Sequence, residues 1–204
     1  MEAAPLVLIK ENRACPWEKE MDSHTAPAQR KGILKIAGGK MSGKDLDEEA
    51  IEIKIVNKLK EKGWQVTSAE SCTGGMIASR LVNVAGVSDI FMEGYITYSN
   101  SAKHKLLGVS KEALDTWGAV SRQVAEQMAR GAAEQAGAQA AIAVTGIAGP
   151  DGGTPKKPVG LVYIGCFAGG ETVVTENHFK GSRLEIRQKT AQTALELLFT
   201  CISR

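Results

Sequence analysis

The run Ala140-Ala141-Ile142-Ala143-Val144 constrains this chain more than any other stretch. Five consecutive apolar residues leading into a glycine-rich segment read as a strand covered on both faces, since a strand with one wet face alternates apolar and polar positions. A strand of that kind needs a layer above it and a layer below it, and belongs in the centre of an α/β domain. The chain is long enough: 204 residues hold one domain of ordinary size with some excess, and 43% hydrophobic with 24% charged residues is the composition of a folded soluble protein.

Periodicity on either side fills in the layers. Asp45, Asp47, Glu48 and Glu49 fall in what would be a first helical turn, where they suit the helix dipole. Ile51, Ile55, Val56 and Leu59 follow at helical spacing, and Gly63 ends a predicted helix of about five turns. Residues 64–69 alternate as a strand, and Gly74-Gly75 turns the chain into a helix over residues 76–82. The spacing predicts a second strand over residues 91–98, short helices over 101–107 and 111–117, and an alanine-rich helix over 120–136 with Ser121 and Gly137 as its caps. Strands over 159–168 and 172–179 flank the hairpin signal Ala168-Gly169-Gly170-Glu171, and a helix over 183–199 closes the chain. The hairpin requires at least one antiparallel strand, so residues 44–204 are expected to form one α/β sandwich on a mixed sheet.

Residues 1–43 mix Pro, Gly, Lys and Glu without period and contain Met1, Met21 and Met41 as alternative starts. They are expected to be a disordered or non-native extension, because such composition does not offset ordering entropy. A formal net charge of +2 with no block of like charges argues against a nucleic-acid or membrane surface. Cys15, Cys72, Cys166 and Cys201 lie far apart, with neither zinc-ligand spacing nor the density of a secreted disulfide scaffold. No apolar run is long enough for a span or an export signal. A cytoplasmic protein is expected, with no metal, since His24, His104 and His178 share no ligand spacing.

Four stretches carry candidate chemistry. Glu70-Ser71-Cys72-Thr73-Gly74-Gly75 sets small nucleophiles and free N–H groups between a strand and a helix, the edge at which α/β sheets gather ligands. The same composition also serves as an ordinary helix cap. Thr145-Gly146-Ile147-Ala148-Gly149-Pro150-Asp151-Gly152-Gly153 leaves the central strand, and its glycines suit a concavity for phosphate or carboxamide. It lacks the endings of a P-loop or a dinucleotide fingerprint and equally fits a surface loop. Tyr98-Ser99-Asn100-Ser101-Ala102-Lys103 delivers a phenol and an amine to the same edge; Lys103 serves a serine as base only if burial or neighbouring cations lower its pKa from about 10.4. Arg183 and Arg187 open the last helix, where arginine opposes the dipole and suits a phosphate instead. Between Ser71 and Cys72 the spacing does not choose, although a thiol is the better intrinsic nucleophile.

Read together, Ala69 to Gly75, the Gly-Tyr-Ile-Thr-Tyr-Ser-Asn-x-Ala-Lys stretch ending at Lys103, Gly118-Ala119-Val120-Ser121, the glycine loop and Lys157-Pro158-Val159-Gly160 resemble the CinA C-terminal domain family, the nicotinamide-nucleotide amidohydrolases. The resemblance runs from about residue 48 to the end. It implies a three-layer α/β/α sandwich with a five-stranded mixed sheet, of the CinA C-terminal, anticodon-binding-domain-like kind. It implies hydrolysis of the carboxamide of nicotinamide mononucleotide to nicotinic acid mononucleotide and ammonia, without cofactor. Carried over by resemblance are Ser71 as nucleophile, Lys103 as base, and Tyr98 and Thr145 as supporting groups. The substrate would then be held by Cys72, Thr73, Gly74, Gly75, Gly146, Ile147, Gly149, Pro150, Asp151, Gly152, Gly153, Arg183 and Arg187, with N–H groups of residues 73–75 or Gly146 stabilising the oxyanion. A pyridine mononucleotide as partner and a homodimer are expected. The alternative is a nucleotide-binding or interaction module without turnover, tied to competence or DNA repair; a phosphotransferase is disfavoured by the missing P-loop and metal carboxylates.

Overall fold

The computed structural model describes residues 50–204. The extension expected over residues 1–43, and the acidic turn of Asp45, Asp47, Glu48 and Glu49, lie outside the described residues.

The described chain runs α1 (Ile51–Lys62), β1 (Val66–Glu70), α2 (Met76–Leu81), β2 (Gly94–Ile96), α3 (Asn100–Leu107), α4 (Lys111–Trp117), α5 (Arg122–Ala136), β3 (Ala140–Gly146), β4 (Leu161–Ala168), β5 (Glu171–His178) and α6 (Arg183–Ile202). The five strands form one sheet in the order β2-β1-β3-β4-β5. β1 is parallel to both β2 and β3, whereas β4 runs antiparallel to both β3 and β5. The mixed sheet expected from the hairpin is therefore present, and β3 is its central strand.

Alternation along β3 sorts the core into two layers. Ala140, Ile142 and Val144 meet the large aliphatics of α1, α2 and α6, including Leu59, Ile77, Leu81, Leu195 and Leu198. Ala141 and Ala143 face the other way, onto Val124, Met128, Ala129 and Ala132 of α5 and Leu107 of α3. Each buried Leu or Ile contributes about 1.5–3 kcal/mol, so the first layer supplies most of the cohesion. The second layer trades side-chain volume for proximity. Gly165 of β4 lies beneath the Ala125 carbonyl, and Gly131 of α5 lies against the Leu107 carbonyl of α3 so closely that a Cβ there would overlap it.

Two elements are markedly shorter than the spacing predicts: α1, with Ala50 at its N-cap, holds 12 residues and not about five turns, and the second strand is cut back. The strand expected over residues 91–98 is β2 alone, because a 3₁₀ turn at Val87–Asp89 draws the Phe91 N–H back to the Val87 carbonyl. At its other end Ser99 departs to cap α3, accepting the Ala102 N–H at 3.1 Å. Met92, Ile96 and Tyr98 stand exposed here, so the apolar pattern of this segment does not mark a longer buried strand. The caps at Ser121 and Gly137 fall where the sequence places them. At the last helix, Ser182 and Glu185 form a reciprocal capping box that offsets the arginine at its start.

Candidate active site

Because β2, β1 and β3 are parallel neighbours, their carboxyl ends open on one edge of the sheet, with β1 in the middle. Ser71 follows β1, Lys103 reaches this edge from α3, and Thr145 lies near the end of β3. The three enter one cavity of about 190 Å³ that is also lined by Cys72, Tyr98, Gly146 and Arg183. Ala119, Val120 and Ala148 complete its wall; these are apolar positions that no residue-type argument singles out.

Lys103 is 1% exposed. Its Nζ lies 3.2 Å from Ser71 Oγ and donates to the Thr97 carbonyl at 2.8 Å. Burial pushes its pKa below the usual lysine range, because desolvation penalises the ammonium. The neutral amine has one lone pair, and the Ser71 hydroxyl is placed to donate to it. That is the arrangement a serine nucleophile requires of a base.

Cys72 is set differently. Its thiol is buried, packs with the aliphatic core, and is pushed up to about 11 by desolvation. It stays protonated at neutral pH. Of the two side chains whose order the sequence spacing leaves open, Ser71 is the one with the Lys103 amine beside it.

The turn between β1 and α2 is gripped from both sides. The Glu70 carboxylate, 1% exposed, accepts the N–H groups of Gly75 at 2.9 Å, Ile77 at 3.1 Å and Ala78 at 2.8 Å. Arg187 donates to the carbonyls of Cys72 at 3.0 Å and Thr73 at 2.6 Å. Glu70 is a positioning residue that residue-by-residue assignment passes over. Its signal is an acidic residue just before a glycine-ended turn into a helix, where free N–H groups attract a carboxylate.

These bonds redistribute the expected roles. The Gly75 N–H, expected among the oxyanion donors, is occupied by Glu70, and the Ser71 N–H is occupied by the Val144 carbonyl at 3.2 Å. Cys72, Thr73 and Gly74 remain as donors in this turn. Arg187 faces the turn's carbonyls and is absent from the cavity wall. Arg183 stands at the cavity, donating to the Gly149 carbonyl at 2.7 Å and to the exposed Tyr98 hydroxyl at 3.3 Å. Thr145 donates to the Ala119 carbonyl at 2.7 Å, so its hydroxyl oxygen keeps its acceptor capacity. Pro150, Asp151, Gly152 and Gly153 lie on an exposed loop beside the cavity and do not line it; Ile147 and Gly149 also stay outside the wall. Among the described residues no three His, Cys, Asp or Glu side chains converge as metal ligands.

An α/β/α sandwich with a serine–lysine pair buried at the carboxyl edge of its parallel strands defines the class. The family model of the CinA C-terminal domain matches residues 48–202, and the chain belongs to that family. The nicotinamide-nucleotide amidohydrolase PncC of Enterobacter agglomerans is 50% identical over 158 residues, covering 76% of this chain and 94% of that protein. A CinA-like protein of Kosmotoga olearia is 52% identical over 151 residues, 74% of this chain but only 37% of its own length. The chain thus spans less than half of several longer relatives, among them putative competence-damage inducible proteins of clostridia. The crystal structure of the competence/damage inducible protein CihA from Agrobacterium tumefaciens superposes with a TM-score of 0.73 at 46% identity, covering 76% of this chain and 94% of that one. Among the described residues no helix is long and apolar enough to cross a membrane.

Proposed function

We propose that this chain hydrolyses the carboxamide of nicotinamide mononucleotide to nicotinic acid mononucleotide and ammonia. The observation that carries the reading is the buried Lys103 Nζ, depressed in pKa and 3.2 Å from Ser71 Oγ. The activity for which the Enterobacter agglomerans relative is named, matched over 94% of its length, supplies the substrate.

In this mechanism Ser71 Oγ attacks the carboxamide carbon as Lys103 Nζ takes its proton. The oxyanion gathers N–H bonds from the turn ahead of Gly75. The Lys103 ammonium passes its proton to the departing nitrogen, and ammonia leaves an ester on Ser71. Lys103, neutral again, activates the water that hydrolyses the ester. The pyridinium ring withdraws electrons from the carbonyl throughout. Arg183 and the loop after β3 hold the ribose phosphate.

Ammonia release from nicotinamide mononucleotide by the wild type, Ser71→Ala, Cys72→Ala and Lys103→Met tests the reading. Activity is expected in the wild type and Cys72→Ala only. Full activity in Ser71→Ala would sink the serine mechanism. Tight binding of the mononucleotide by intact wild type without ammonia release would favour a binding module without turnover.

A further inference from the structure

We propose that Cys166 and Cys201 form a dithiol–disulfide couple oxidised by peroxides, with Cys201 the thiol that reacts first. The couple is independent of the amidase reading. Cys166 comes from β4 and Cys201 from α6, so their distance in sequence conceals the pair. Both are free, both pack in the core layer on one side of the sheet, and each thiol is the group that acts most strongly on the other. Both line a second cavity, about 390 Å³, whose wall carries Lys62, Trp64, Glu171 and Arg204.

Two properties separate the thiols. Cys166 is fully buried, whereas Cys201 keeps 7% of its surface open beside the cavity. The neighbouring Cys166 thiol, helped by the Arg204 guanidinium, brings the Cys201 thiol down to about 7. The proximity of Cys201, together with burial, drives Cys166 well above its ordinary value. A thiol near neutrality with a small opening is the attacking partner, and the buried neighbour is the resolving one.

The chemistry balances with hydrogen peroxide as the oxidant. The Cys201 thiolate attacks one peroxide oxygen; an S–O bond forms, the O–O bond breaks, and the leaving hydroxide takes up a proton to become water. Cys166 then attacks the Cys201 sulfur; the S–S bond forms, the S–O bond breaks, and the hydroxyl departs as a second water with the Cys166 proton. One peroxide gains the two electrons that the dithiol loses. The link ties β4 to the end of α6, roughly 20 Å along that helix from Arg187.

Peptide mapping of the full chain after peroxide treatment tests the proposal. A linked Cys166–Cys201 peptide, reversed by dithiothreitol, is expected as the main product among Cys72, Cys166 and Cys201. In the reduced protein, iodoacetamide is expected to alkylate Cys201 about tenfold or more faster than Cys72 or Cys166. In Cys166→Ala, Cys201 is expected to stop at a sulfenic acid trapped by dimedone. A free Cys201 after peroxide treatment, or its conversion to sulfinic acid without a link in the wild type, overturns the proposal.

Discussion

In the turn after β1, one carboxylate accepts three N–H groups and one guanidinium donates to two carbonyls, so Ser71 rests on a peptide frame fixed from both sides. The loop after β3 leaves the same sheet edge under different terms. From Pro150 to Val159 every residue but Lys157 is exposed, and its side-chain tether nearest the cavity runs from Arg183 to the Gly149 carbonyl. The contrast separates two tasks. A nucleophile gains from a frame that does not move, because misplacement by an ångström is costly in rate. The loop after β3, held by reciprocal Thr154–Lys157 bonds and by Lys157 at the Trp117 carbonyl, instead presents exposed residues beside the cavity.

The sharpest break in that comparison comes from the reacting pair. Ser71→Ala and Lys103→Met are each expected to lower ammonia release by on the order of a thousandfold or more, with folding preserved by circular dichroism. Loop substitutions should not approach this. Next is Glu70→Ala, which strands three N–H groups of the turn; denaturant unfolding should show a loss of about 3 kcal/mol, and kcat should fall further than KM rises. A stability and kcat equal to wild type would erase the distinction between the two turns.

The pH profile sharpens the comparison at the base. If Lys103 is the base, as proposed, kcat/KM should rise with pH and level off, with its midpoint below the ordinary lysine value near about 10.4. A limb near 11 would instead mark the Cys72 thiol. The sign for stability follows from the same burial. Between the lowered folded value and the ordinary one, the unfolded chain binds more protons, so the Lys103 contribution to stability increases as pH rises through that window.

Cys72→Ala should keep ammonia release within about threefold and cost roughly 1–2 kcal/mol in unfolding, the loss of a small buried group. Gly152→Ala should have the smallest effect. Its φ of 86° strains any other residue by about 1 kcal/mol, but a Cβ would meet only Ile147 at ordinary contact distance. Steady-state kinetics should register it in KM and not in kcat.

Much of this was legible in the sequence because it rests on local signals. The apolar run at residues 140–144 identified the central strand, and the Gly169-Gly170 hairpin made the sheet mixed. Ser71 and Thr145 were visible at a strand's carboxyl end and Lys103 in the helix that follows one, and the strand order brought them into one cavity. What stayed hidden depends on contacts between distant elements. Glu70 reads as any strand-ending carboxylate until its three donors are in place. Arg187 reads as a phosphate ligand until the turn's carbonyls are seen in front of it. The brevity of β2 follows from a 3₁₀ turn that periodicity does not register.

The close seat of α3 on α5 has a consequence for inheritance. Lys103 rides on α3, and that helix is set flush by Gly131, a position outside the cavity wall. A single-nucleotide change to alanine would lift the helix that carries the base while leaving every cavity residue intact. Such an allele would pass in the cold and fail in warmth, a conditional defect that maps to a residue no substrate ever meets.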